Sequence, residues 1–194
     1  IQEITDGIGD TGVRAGIIKV VTGYPPLGAP EKLLLQAAAK AALATGVPIT
    51  THTEGVLGDV QQQILTAAGV PAERLIVGHS CGSTDFDYHM GIVRGGSYLG
   101  FDRFGMENAM PDRVRVAALV KLLKAGAAER LFVSHDSVWY WGDSGPGAVQ
   151  SWEPCNFFTR IVPMLKDAGI TDAQIRTVLV DNPRRFFEGQ GGAE

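Results

Sequence analysis

Five short apolar runs in this chain each carry one polar, chemistry-bearing residue near the C-terminal end. The runs are residues 16–21 (GIIKVV), 47–53 (VPITTHT), 74–80 (RLIVGHS), 97–103 (SYLGFDR) and 130–137 (RLFVSHDS). Their polar residues are Lys19, His52, His79, Asp102 and Asp136, separated by 33, 27, 23 and 34 positions. A strand–helix–strand unit takes roughly 30 residues or more. One such residue therefore arrives per unit, always at the same level of the fold. The runs are near-continuously apolar rather than alternating, as strands covered on both faces should be.

Helical segments separate the runs. Residues 30–45 are Ala/Leu-rich, open on Pro30 and stop at Gly46, a favourable C-cap. Residues 58–68 form a second segment, and 84–94 a third that opens with Thr84-x-x-Asp87, the pattern of a capping box. Residues 111–125 repeat apolar positions at helical spacing. Two further helices are predicted over 156–168 and 171–180, with Asp181-Asn182-Pro183 read as the turn that ends the last one. The order β-α-β-α-β-α-β-α-β-α argues a parallel α/β sheet. Polar residues at the ends of consecutive strands favour a (β/α)8 TIM barrel over a doubly wound sheet, which binds ligands at one switch point. No Gly-x-Gly-x-x-Gly or Walker loop supports a nucleotide site.

Five strands cannot close an eight-stranded barrel, and a typical barrel needs ~250 residues. The chain has 194 and begins at Ile1 rather than Met. The expectation is an incomplete barrel, about strands 4 to 8 with their helices. The 194 residues then form a single C-terminal portion, a processed or truncated product lacking about three N-terminal units. Its first strand would present an open edge that invites pairing. The expected assembly is a homo-oligomer or a complex with a complementary N-terminal piece.

Composition limits the function classes. With 17 basic and 21 acidic residues, the net charge is 17 − 21 = −4. There is no basic patch for a phosphate backbone, so nucleic-acid binding is not expected. A chain 45% hydrophobic and 20% charged is ordinary for a globular protein and excludes disordered, collagen-like and coiled-coil classes. No window approaches the ~20 apolar residues of a membrane span, and no signal peptide opens the sequence. Two cysteines, Cys81 and Cys155, are too few for a disulfide scaffold; a cytoplasmic location is expected.

Two histidines and a carboxylate at the mouths of separate strands are ingredients of a metal site, and zinc suits them. Lys19 interrupts an apolar strand. A buried ammonium needs a partner or a lowered pKa. Lys19 either snorkels to the barrel mouth or pairs with a carboxylate, or is a neutral amine that has captured CO2 as a carbamate bridging two cations. Other candidates read as structural. His135 should face away from Asp136 across the strand, His89 should lie on a helix surface, and Cys81 is an unremarkable loop thiol. Trp139, Tyr140, Trp141 and Trp152 fall in a long Gly-rich loop at 138–153. They serve either as the apolar wall of a pocket or as a cap on the barrel mouth. No Gly-x-Ser-x-Gly elbow supports a covalent mechanism.

In order, the segments GIIKVV, ATGVPITTHT, LIVGHS, SYLGFDRFG, LFVSHD and VDNPRRFF resemble the phosphotriesterase family of the amidohydrolase superfamily, above all its phosphotriesterase-related and lactonase-like branch. The similarity covers residues 11–188. It implies two divalent metal ions, usually zinc, in a (β/α)8 barrel. By position, Lys19 resembles the carboxylated bridging lysine, and His52 and His79 the ligands of the more exposed metal. Asp136 resembles the last-strand aspartate that binds the buried metal and handles the proton of the attacking hydroxide. The family's first-strand His-x-His pair is not among the four histidines of this sequence. Organophosphate-degrading members carry a carboxylate and a histidine as a proton relay; here those places hold Gly82 or Ser83, and Arg103. Arg103 matches the lactonase-like branch, where it lies near the substrate pocket, with Trp139 and Tyr140 as further substrate-binding candidates. The implied function is metal-dependent hydrolysis of lactones or other esters, with weak phosphotriesterase activity, on a small-molecule substrate. The rival reading is a non-catalytic ligand-binding homologue or inactive fragment with an incomplete metal site.

Overall fold

The computed structural model describes residues 1–54, 56–138 and 153–188. Trp139, Tyr140, Trp141 and Trp152 therefore lie outside the described residues. Five strands form one sheet: β1 (Ile18–Val21), β2 (Ile49–His52), β3 (Leu75–Val77), β4 (Tyr98–Phe101) and β5 (Leu131–Val133). All neighbours are parallel and the spatial order is the chain order. A doubly wound sheet would reverse at a switch point. Continuous one-way order is that of a barrel, and the fold is an arc of a (β/α)8 barrel.

The register carries the site. Ile18 pairs with Ile49 and Val21 with His52, while Ile49 pairs with Leu75 and Val77 with Leu99. Side chains therefore alternate coherently across the sheet. Val20, Ile49, Leu75, Val77, Leu99, Phe101 and Leu131 belong to one buried core shared with Leu35, Leu65, Ile92, Leu119 and Ile161 of the helices. The opposite face points inward, where Lys19, Thr50, Ile76 and Phe132 line a small cavity. The expectation that every strand is covered on both faces fails at β1. Val20 is buried, but Lys19 and Val21 are exposed, because β1 is the sheet edge and pairs on one side.

Helix signals in the sequence act as expected at the longest helix. Following α1 (Gln2–Thr5), α2 (Ala29–Thr45) starts where Glu31 accepts the Gly28 amide at 2.7 Å and stops at Gly46, whose φ of 76° only glycine adopts cheaply. After α3 (Gly58–Ala67), helix α4 (Phe86–Arg94) corrects one expectation. Its N-cap is Asp85, which accepts from the Asp87 and Tyr88 amides, and not Thr84. An Asp at this position satisfies two orphan donors at once. Next comes α5 (Asp112–Lys124).

The C-terminal helices correct another. A π-helical turn, Phe157–Ile161, leads into α6 (Val162–Asp167). After α7 (Asp172–Arg176), a second π turn, Thr177–Asp181, leads into α8 (Asn182–Glu188), so Asp181-Asn182-Pro183 continues the helix rather than ending it. Pro163 and Pro183 each sit two residues past a π turn. A proline lacks the N–H and crowds the carbonyl four residues back; the wider turn relieves both. Asn182 is fully buried and donates to the Ala128 and Leu131 carbonyls at 2.8 and 2.7 Å, which fixes this helix to β5. Phe186 then packs edge-on to Tyr98 and Phe132. Among the described residues, no helix is long and apolar enough to cross a membrane.

Candidate active site

Strand β3 ends at Val77, and Gly78 follows because nothing larger fits: a Cβ there would lie 2.1 Å from the Thr51 carbonyl oxygen. His79 comes next with φ 58°, and beyond β5 Asp136 has φ 51°. Among the described residues these are the two non-glycine residues with positive φ. Each costs on the order of 1 kcal/mol or more, a strain that persists where surrounding bonds over-determine it. Asp102, just past β4, supplies those bonds for His79. It accepts the His79 amide at 2.9 and 3.1 Å and faces Nδ1 at 2.9 Å. With Nδ1 occupied, Nε2 is left to face the cleft, the usual way a carboxylate orients an imidazole for a metal.

From there the constellation spreads across the strand ends. His79 Nε2 stands 4.0 Å from Asp136 Oδ2, and the His52 ring lies edge-on to it with centroids 4.5 Å apart. His52 Nε2 is 2.9 Å from Glu54 Oε1. Arg103 spans the mouth, donating through Nε to Asp136 Oδ2 and through Nη2 to Glu54 Oε1, both at 3.2 Å. Lys19 is an exposed residue overall, yet its Nζ donates to the Thr51 carbonyl at 2.9 Å. It lines the inner cavity with His79, Asp102 and Asp136. A second, larger cleft of about 420 Å³ opens above, lined by Tyr24, Thr53, Glu54, His79, Gly82, Arg103 and Ala109. That is the size of a small-molecule site.

Charge states follow from these contacts. Burial lowers the Lys19 ammonium, and the opposing pull of Asp102 and Asp136 does not restore it, so it ionises below its ordinary value. Burial and then the neighbouring His79 lower His52, favouring the neutral imidazole that a metal requires. Burial pushes Glu54 up, but the hydrogen bond and charge of Arg103, then those of His52, outweigh it and leave a carboxylate. Burial pushes the Cys81 thiol up to about 11, which removes it as a nucleophile.

Lys19, His79 and Asp136, named from sequence, share the inner cavity; His52 touches His79; Arg103 bridges to Asp136. As the side chains stand, no group of three or more His, Cys, Asp or Glu among the described residues converges as a metal cage. The donors instead satisfy one another, His52 through Glu54 and Asp136 through Arg103. In kind, neutral imidazole and carboxylate suit a divalent cation. His79 Nε2 and Asp136 Oδ2, at 4.0 Å, stand a little wider than the roughly 3.4 Å separating two ligands of one tetrahedral zinc.

Glu54 and Asp102 join this constellation by contact, and neither was named as a site residue from the sequence. Both had a visible signal. Asp102 stood in the one-per-unit series, and Glu54 is a carboxylate two residues past a strand-end histidine. Two structural readings are corrected. His89 is not on the surface but fully buried, its Nε2 2.9 Å from the Ser80 carbonyl oxygen. His135 does not oppose Asp136 on a strand, since β5 has ended at Val133; its Nδ1 accepts the Ser137 amide.

Residues 1–187 match the family model described as the phosphotriesterase family. The chain belongs to the phosphotriesterase family. It is 40% identical to the phosphotriesterase of Mycobacterium tuberculosis, whose structure it matches with a TM-score of 0.90 over 99% of this chain and 61% of that one. A variant of the PTE-like lactonase of Deinococcus radiodurans is 38% identical, with a TM-score of 0.88 over 96% of this chain and 61% of that one. An aryldialkylphosphatase of Saccharolobus solfataricus is 31% identical over 96% of this chain and 62% of its own length. The chain spans about three fifths of the length of these relatives.

Proposed function

We propose that this chain carries the strand-end residues of a metal-dependent hydrolase acting on lactones or other esters, with weaker action on phosphotriesters. One observation supports this most. His52 and His79 in ring contact, and Asp136 and Arg103 hydrogen-bonded, come within 4.0 Å of each other at the C-terminal ends of the sheet, above a cavity that Lys19 also lines. Lys19, as a carbamate, with His52, His79 and Asp136, would supply part of the ligand set for two divalent cations such as zinc, the first-strand His-x-His pair being absent from this sequence. When bound, such cations supply Lewis acidity and an activated water.

The residues do the rest. Asp136 takes the proton released at the attacking oxygen and returns it to the leaving group. Arg103 holds Asp136 Oδ2 and the open cleft. It cannot relay a proton, because a guanidinium stays charged. A proton must therefore leave from Asp136 itself. Lactone opening suits that arrangement, since the alkoxide stays tethered beside Asp136, whereas a phosphotriester's leaving group departs. Two free cysteines, Cys81 and Cys155, support a reducing, cytoplasmic setting, and the β1 edge supports association with another strand. Chelation of the native protein should abolish lactone hydrolysis, and zinc should restore it. Full activity in protein shown to be metal-free would overturn the reading.

A further inference from the structure

We propose that Glu54 is a specificity-determining residue: it neutralises Arg103 and thereby restricts the mouth cleft to uncharged substrates. The inference takes its substrate, a lactone, from the hydrolase reading above; its charge argument stands on geometry alone.

Among the described residues lining the cleft of about 420 Å³, Glu54 and Arg103 are the two that carry permanent charge. A guanidinium facing a substrate cleft is by itself an anion receptor, because its planar fork matches carboxylate and phosphate. Here its Nε/Nη2 edge is already occupied. Nη2 donates to Glu54 Oε1 and Nε to Asp136 Oδ2, both at 3.2 Å. Arg103 is largely buried, with 15% of its side chain exposed, and Glu54 is 27% exposed, so bulk water screens the pair only in part. An anionic substituent would have to displace one carboxylate and sit beside it. A neutral one meets a guanidinium whose charge Glu54 and Asp136 already offset.

Glu54 also lies 2.9 Å from His52 Nε2, so the rival role for it is a metal ligand. A matched pair of γ-lactones separates the roles: 5-oxotetrahydrofuran-2-carboxylate and its carboxamide, alike in shape and unlike in charge. On native, metal-loaded protein, kcat/KM should favour the carboxamide. Glu54→Gln should raise the carboxylate-to-carboxamide ratio fivefold or more. Glu54→Ala should do the same, and the gain should vanish in Glu54→Gln/Arg103→Met. A smaller rise, a gain that survives loss of Arg103, or loss of bound metal from Glu54→Gln would each overturn the proposal. Should the wild type open neither lactone, the hydrolase reading fails. Calorimetric binding of the carboxylate then reads the charge proposal by itself, with the same fivefold threshold and the same dependence on Arg103.

Discussion

His79 and Asp136 hold left-handed backbone that most residues avoid, and the contacts that enforce it differ. His79 is gripped at its amide and ring by Asp102, whereas Asp136 is met through its side chain by Arg103. Asp102→Ala should free the His79 ring and weaken metal binding by about 10- to 100-fold, the usual effect of losing a group that orients a ligand. Competition against a chromogenic chelator measures it, and an unchanged affinity would remove Asp102 from that role. Asp136→Asn should lower kcat for a lactone by on the order of 10²–10⁴, the contribution of a positioned acid–base group. Metal content must be assayed in parallel, because Asp136 is also a proposed ligand. His89 offers a pH test. Burial lowers its pKa against the pull of the Ser80 carbonyl and Asp85, so the folded state binds its proton less readily than the unfolded chain. Stability from this group is present above about 6.5, the unfolded value, and is lost as pH falls from there through the lower folded value. His89→Leu should flatten the dependence of Tm on pH across that window; an unchanged slope would assign the effect elsewhere. At this scale the sequence showed which residues end the strands. It did not show that Glu54 faces Arg103 across 49 positions, because such a pair depends on how two loops fold back over the mouth.

Five apolar runs became five strands, all shorter than the runs that predicted them. The run 130–137 yields only Leu131–Val133, because the backbone must leave the sheet before it can adopt the left-handed turn at Asp136. Past β3, Gly78, His79 and Ser80 stay buried after the ladder has ended, so burial overruns the strand there. Helix ends were legible where chemistry is local, as at Gly46, and misread where two caps competed, as at Thr84 and Asp85. The last helix was cut short in the reading because Asn-Pro is ordinarily a turn signal. A π turn and a buried Asn182 let the helix run on. Asn182→Leu leaves the Ala128 and Leu131 carbonyls without that donor, which costs about 1–3 kcal/mol where a carbonyl is buried. The variant should melt several degrees lower, and an unchanged Tm would mean that Phe186 packing alone docks the helix.

At the scale of the molecule, one-per-unit spacing was enough to select a barrel over a doubly wound sheet, because every strand contributes at the same level. What spacing could not supply is the far side of the cavity that Lys19 faces. The β1 edge leaves backbone groups unpaired on one side, and Val21 is exposed there. Light scattering should accordingly find the 194-residue chain associated rather than as a monodisperse 20.6 kDa monomer with cooperative unfolding. That a proton leaves Asp136 without a relay, which suits lactones, is the central proposal. It is tested most directly by kcat/KM for an acyl lactone and for a phosphotriester on one metal-loaded preparation of the native protein. A higher value for the lactone is predicted, and a phosphotriester preference of tenfold or more would contradict it.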